Sequence, residues 1–183
     1  RNIELDDLLG RDPVRLDTAG LREWLGDRVV LVSGAGGSIG AELCRQIARY
    51  QPQRLVLLES GEFSLYTVEQ EFARRFPKIR ISAMIGDVKD ARRMTQLLAA
   101  FQPTVIFHAA AYKHVPLMES DNAWQAVLNN VLGTRTLAEA AMAHGVEKFV
   151  LISTDKAVNP TNVMGASKRL AELLCQSLQQ RGR

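Results

Sequence analysis

A hydroxyl, a carboxyl and an amine stand side by side in Ser153-Thr154-Asp155-Lys156, and a second amine, Lys168, follows on the next helical stretch. Together they supply a hydrogen-bond donor, an acid and a base, provided burial and mutual charge tune their pKa values. A strand-end turn with a solvated Asp-Lys pair is the plainer account of the same residues. A second constellation is Gly34-Ala35-Gly36-Gly37-Ser38-Ile39-Gly40, in which Gly34, Gly37 and Gly40 give the spacing G-x-x-G-x-x-G directly after an apolar run. Chemistry needs such a backbone, free of Cβ, where a chain turns tightly against a pyrophosphate and a helix N-terminus offers it free N–H groups. No Gly-Lys-Ser/Thr follows, which excludes a P-loop.

Further candidate contacts to a dinucleotide follow from position. Glu59 ends the second apolar run, where a carboxylate accepts hydrogen bonds from ribose hydroxyls; this favours NAD, with NADP left open because Arg and Lys lie nearby. Asp87, next to Val88, is placed to bond an adenine amine, although a turn-forming Asp explains it almost as well. His108-Ala109-Ala110-Ala111 puts small residues where a cofactor would cross the edge of a sheet. His108 itself reads first as a packing histidine and second as a catalytic one, and with Ala109 and Ala110 it is a candidate cofactor contact.

These residues need elements to hold them. Short β-rich runs at Val29–Val32, Leu55–Leu58, Ile79–Ile85, Val105–Phe107 and Phe149–Ile152 read as buried parallel strands. Helical periodicity, as in Met94, Leu97, Leu98 and Phe101, predicts helices over Ser38–Tyr50, Glu62–Phe76, the stretch around Met94, Ala123–Ala143 and Gly165–Gln180. Strict alternation of strand and helix implies an α/β fold, a Rossmann-like doubly wound parallel sheet with right-handed crossovers. Residues 1–27, with a Gly10-Arg11-Asp12-Pro13 break and an amphipathic stretch Thr18–Leu25, read as a lead-in, and residues 28–183 as the NAD(P)-binding domain.

Composition narrows the function classes. The charge of +3 comes from 23 basic and 20 acidic residues scattered singly, so nothing suggests nucleic-acid binding. No apolar run reaches the roughly 18 residues that cross a bilayer, and the charged start is not a signal peptide. Cys44 and Cys175 lack metal-ligand spacing and read as reduced thiols of a cytoplasmic protein, so no metal is expected. The sequence opens on Arg1 rather than Met, which reads as a segment cut from a longer chain.

The glycine pattern, the Ala-rich run after the fourth strand and the late Lys168 resemble the extended short-chain dehydrogenase/reductases. That family normally carries Tyr-x-x-x-Lys, yet no tyrosine here has Lys four residues on, and Met164 stands four residues before Lys168. The segments His108 to Glu119, Asn130-Val131-Leu132-Gly133-Thr134, Ser153 to Pro160 and Met164 to Glu172 look like those of the nucleotide-sugar 4,6-dehydratases of polysaccharide and O-antigen biosynthesis. Met at the Tyr position, and a lead-in with Leu8 to Val14, are similar to the large membrane-anchored UDP-N-acetylglucosamine 4,6-dehydratases.

The resemblance implies oxidation of sugar C4 by NAD, loss of the C5 proton and the 6-hydroxyl, and return of the hydride to C6. It implies Lys156 as base at C5, Asp155 as acid for the 6-hydroxyl, Thr154 as a contact to the 4-hydroxyl, and Lys168 as holder of the nicotinamide ribose. The base for the first oxidation is open; Thr154 with Asp155 is the reading. Lys113, His114, Glu119 and Asn159 fall where the family lines its sugar pocket, with surface or packing roles as alternatives, and Asn130 looks like the family's structural Asn. Family members continue past the lysine-bearing helix into a smaller substrate lobe, so this segment, truncated before that lobe, is expected to turn over little or nothing. The longer protein is expected at the cytoplasmic face of the inner membrane, as a homo-oligomer or not, with a UDP-sugar as its substrate. Two readings compete: a 4-epimerase of the same fold, and a dinucleotide-binding module without catalysis.

Overall fold

The computed structural model describes residues 17–181; the Gly10 to Pro13 break and the Leu8 to Val14 stretch lie outside them. Helix α1 (Thr18–Leu25) precedes β1 (Val29–Ser33), α2 (Ser38–Ala48), β2 (Arg54–Glu59), α3 (Glu62–Arg75), β3 (Ile81–Ile85), α4 (Ala91–Phe101) and β4 (Val105–His108). After α5 (Ala123–Ala126) come a π-helical turn (Val127–Leu132), α6 (Gly133–Ala143), β5 (Lys148–Leu151) and α7 (Val163–Arg181). All strand pairs are parallel, in the order β3-β2-β1-β4-β5. This is the Rossmann-like sheet that the alternation of strand and helix predicts.

The alternation of side chains along each strand divides the core into two layers. On one face Val30, Val32, Leu55 and Leu57 pack with Cys44, Ile47, Leu65, Val68 and Phe72 of α2 and α3. On the other, Leu31, Val56, Leu58 and Ile106 pack with Met94, Leu97 and Leu98 of α4 and Leu137 of α6. Each such side chain stabilises the fold by about 1.5–3 kcal/mol relative to exposure. Both faces of β1 are therefore apolar, which is why its sequence is a continuous hydrophobic run. Asp17 caps α1 by accepting the Gly20 N–H at 3.0 Å. Trp24 then stands edge-on to Phe107 and Leu25 enters the core.

Several boundaries differ from the sequence expectation for identifiable reasons. β1 and β4 each run one residue past their apolar stretch, to Ser33 and His108, whose buried side chains hydrogen-bond each other. β3 starts at Ile81 rather than Ile79, because the Ile79 N–H closes a turn on the Phe76 carbonyl. The helix expected over Ala123–Ala143 is interrupted by the π turn, in which the neighbours Asn129 and Asn130 are both buried. Among the described residues no helix is long and apolar enough to cross a membrane.

Candidate active site

The carboxyl ends of β1 and β4, neighbours in space whose following helices lie on opposite faces, form the crevice where a doubly wound sheet binds its ligand. Gly34 leaves β1 at φ +70°, and a Cβ there would stand 2.7 Å from Ala110 Cα, so both conformation and space demand glycine. A Cβ on Gly40 would overlap the Gly34 carbonyl oxygen, and one on Gly36 would come within 2.7 Å of Ser64. Gly34 and Gly40 of the pattern, and Gly36 between them, are thus required by the protein's packing on itself. Gly37 is the N-cap of α2 and has no capping side chain. The N–H groups of Ser38, Ile39 and Gly40 in the first turn have no helical carbonyl to bond. Such a terminus fits a dinucleotide pyrophosphate.

A small hollow of about 30 Å³ on one side of the turn is lined by Gly34, Glu59, Asp87, Val88, Ala110 and Asn129. Glu59 accepts the N–H groups of Gly36 (3.0 Å), Ser60 (2.8 Å) and Gly61 (3.1 Å), so its first task is to hold the glycine turn to β2. Asp87 accepts the Lys89 N–H at 2.8 Å and pairs with the Lys89 ammonium at 2.8 Å, making the turn that was its alternative reading.

On the other side a cleft of about 280 Å³ brings Ser38, Ile39, Gly40, Ala109 and Lys113 opposite Thr154, Lys156, Met164 and Lys168. Lys168 is buried, donates to the Ile152 carbonyl at 2.6 Å, and has its pKa lowered by that burial. Met164 is buried against Met118 and Ala126 and shows only an apolar wall to the cleft. The Thr154 hydroxyl donates to Asp155 at 3.0 Å, and the Lys156 ammonium lies 3.5 Å from the same carboxylate. That carboxylate, 89% exposed, does not line the cleft, and the Thr154 hydroxyl and the Lys156 charge hold its pKa below the ordinary range.

Other candidates fall elsewhere. His108 is fully buried between Ser33 (2.6 Å) and Thr134 (2.9 Å), which corrects the reading of its side chain as a cofactor contact. The Glu119 carboxylate accepts the Val163 N–H at 2.9 Å through one of its oxygens at the start of α7. His114 and Asn159 are exposed outside the cleft lining, Asn159 at φ +48°. Lys113 does line the cleft, with its ammonium 2.8 Å from the Ser38 hydroxyl.

Sequence reasoning missed two residues. Asn162 caps α7 through the Gly165 N–H at 2.7 Å, a signal legible in the Asn before a helical run. Gly165 lets α7 approach the Thr154–Lys156 turn, since a Cβ there would overlap the Lys156 carbonyl oxygen. Among the described residues no cluster of His, Cys, Asp and Glu could hold a metal.

Sheet order, glycine turn and cleft define a Rossmann-like domain with a dinucleotide-type crevice. The chain belongs to the polysaccharide biosynthesis protein family, whose pattern it matches over residues 30–183. It is 50% identical over 179 residues to the capsular polysaccharide biosynthesis protein CapD of Staphylococcus aureus, and 51% identical over 179 residues to the probable polysaccharide biosynthesis protein EpsC of Bacillus subtilis. Each alignment covers 97% of this chain and 30% of the relative, so the chain spans about a third of those proteins. A UDP-N-acetylglucosamine 4,6-dehydratase (inverting) of Campylobacter jejuni is 31% identical over 146 residues, covering 79% of this chain and 42% of the relative. Among solved structures, Pen from Bacillus thuringiensis superposes with a TM-score of 0.78 at 32% identity, over 85% of this chain and 48% of that one. The fold is also that of a UDP-glucose-4-epimerase from Stenotrophomonas maltophila solved with NAD and formylated UDP-arabinopyranose, with a TM-score of 0.76 at 22% identity over 85% and 50% of the two chains.

Proposed function

We propose that this chain is the cofactor-binding part of an NAD-dependent nucleotide-sugar 4,6-dehydratase that acts on a UDP-sugar, UDP-N-acetylglucosamine foremost, in the synthesis of a surface polysaccharide. The observation that carries the reading is the single cleft in which Thr154, Lys156, Met164 and Lys168 face the start of α2. Support comes from the dehydratase of Campylobacter jejuni among its relatives.

The N–H groups of Ser38, Ile39 and Gly40 would hold the pyrophosphate, Glu59 the adenosine ribose, and Lys168 the nicotinamide ribose. The Glu59 carboxylate repels a 2′-phosphate and so favours NAD over NADP. Bound there, NAD supplies a reversible oxidation at sugar C4, whose ketone acidifies the C5 proton. Lys156, on the cleft wall, would accept that proton as the neutral amine, and Thr154 would bond the 4-hydroxyl. Asp155 swings from solvent to protonate the departing 6-hydroxyl once the sugar displaces its contacts with Thr154 and Lys156. The C5 proton and the 6-hydroxyl would leave as water, the hydride taken from C4 would return at C6, and a solvent proton would be added at C5 in balance with the one lost from the 4-hydroxyl, so the sum is loss of one water without net redox change. Met164, which carries no proton, leaves the first deprotonation to Thr154 and Asp155.

The test is NMR of UDP-N-acetylglucosamine with NAD in D2O, using a protein of the relatives' length that carries this segment, beside its Lys156→Ala variant. A C6 methyl signal with deuterium at C5, lost in the variant, is the expected result. An unchanged 6-hydroxymethyl with inversion at C4 would make the protein an epimerase, and NAD bound without turnover a non-catalytic module.

A further inference from the structure

The buried polar atoms between β1 and α7 form two hydrogen-bond paths that meet at Asn130, one on its main-chain carbonyl and one on its side-chain amide. The Thr134 hydroxyl spends its only proton on the Asn130 carbonyl, 2.7 Å away, because a carbonyl cannot donate. Its contact with His108 Nε2 at 2.9 Å must then be an N–H donated by the imidazole. With that proton on Nε2, the bare Nδ1 accepts the Ser33 hydroxyl at 2.6 Å. The second path starts from the Asn130 side chain: its Oδ1 accepts the Tyr112 N–H at 2.8 Å, and its Nδ2 donates to the Tyr112 carbonyl and to Ser167 Oγ, each at 3.0 Å. Ser167 passes its proton to the Met164 carbonyl at 2.7 Å. Thr134 and Ser167 each give one proton and receive one, so the orientation of each is fixed by its neighbours.

The ends of these paths are the two walls of the crevice. Ser33 is the residue before Gly34, whereas Ser167 sits between Met164 and Lys168 on α7, and Tyr112 precedes Lys113 in the loop between them. We infer that His108, held as the neutral Nε2-protonated tautomer, is a positioning residue that sets the separation of the glycine turn from the Lys168 helix. The inference rests on the proposed binding of NAD across these walls. Burial and the nearby Lys168 charge push the imidazole pKa down to about 3, in keeping with a ring that stays neutral.

Two measurements test it. The long-range proton–nitrogen NMR spectrum of the chain contains three imidazoles, and the one lost in His108→Gln is His108. It should show a protonated Nε2 and a bare Nδ1, unchanged from about pH 8 to about pH 5; a protonated Nδ1, or titration in that range, overturns the inference. In calorimetric titrations with NAD, Ser33→Ala and Thr134→Val should each weaken binding roughly fivefold, the scale of one net hydrogen bond. Thr134→Ser, which keeps the hydroxyl, should restore affinity to within about twofold. Unchanged affinity in both deletion variants overturns the positioning role. Neither measurement uses a sugar: a protein that binds NAD yet dehydrates no UDP-sugar defeats the proposed reaction and leaves these results standing, and one that binds no NAD defeats the proposed cofactor and, with it, the positioning role.

Discussion

Lys113 and Ser38, 75 positions apart in sequence, are joined by a hydrogen bond of 2.8 Å from ammonium to hydroxyl at the first residue of α2. The contact places a positive charge at a helix terminus that already attracts anions. Replacing Lys113 by Gln should therefore weaken NAD binding by about tenfold or more, the worth of a charge-assisted hydrogen bond, with a loss that shrinks as salt rises. Calorimetric titration at two ionic strengths measures this; equal affinities for the two proteins would place Lys113 away from the pyrophosphate.

Gly165 allows a backbone approach that no side chain permits. Gly165→Ala should force α7 off the Thr154–Lys156 turn, costing about 1–3 kcal/mol and lowering turnover by more than the stability loss explains. Gly145, at φ +69° with no atom within 4 Å of the place a methyl would take, is the control: Gly145→Ala should cost about 1 kcal/mol of backbone strain and leave turnover intact. Thermal melts and product NMR on both variants separate the two effects, and equal turnover in both would remove any special role from Gly165.

Lys168 keeps an ammonium almost out of water with one protein acceptor, the Ile152 carbonyl. Such burial is costly. Lys168→Met should hold or raise the melting temperature while reducing NAD affinity about tenfold. A marked fall in melting temperature would show instead that the ammonium is a structural tie between β5 and α7.

Arg45 of α2 grips Glu71 of α3 with two hydrogen bonds, of 2.7 and 2.8 Å. The guanidinium lowers the Glu71 pKa to about 2, below its value in the unfolded chain. A depressed carboxyl pKa stabilises the fold fully above the unfolded value and loses that stabilisation as pH falls toward the folded one. The pair should thus contribute about 1 kcal/mol at neutral pH, fading between roughly pH 4.5 and pH 2. Glu71→Gln should flatten the stability profile in that window; an unchanged slope would mean that the pair contributes nothing measurable.

The sheet was legible because burial on both faces demands unbroken apolar runs, and Val29 to Val32 or Leu55 to Leu58 admit few other accounts. The glycine turn was legible in the same way, although the spacing pointed to a ligand while packing explains Gly34, Gly36 and Gly40 first. What escaped were features set by contacts between distant segments. Asn129 and Asn130 are both buried in a π turn that no local periodicity marks. Likewise, the capture of Glu119 by the Val163 N–H joins residues 44 apart, and nothing near either one announces it. Asp155 shows the converse: its neighbours Thr154 and Lys156 line the cleft, but a strand-end turn sends the middle side chain outward.

The position of β1 also imposes an order of assembly. Its partner β2 follows within one helix, but the strand on its other side, β4, is complete only at His108, after two more helices and β3 have been made. During synthesis a strand buried on both faces therefore has one edge unpaired until the residues between Ser33 and Val105 have emerged. Such an edge is open to wrong partners. Because one wall of the cleft is carried by Thr154, Lys156, Met164 and Lys168, the cleft itself closes only with the arrival of α7, so a dinucleotide can reward the finished sheet but cannot guide the half-built one.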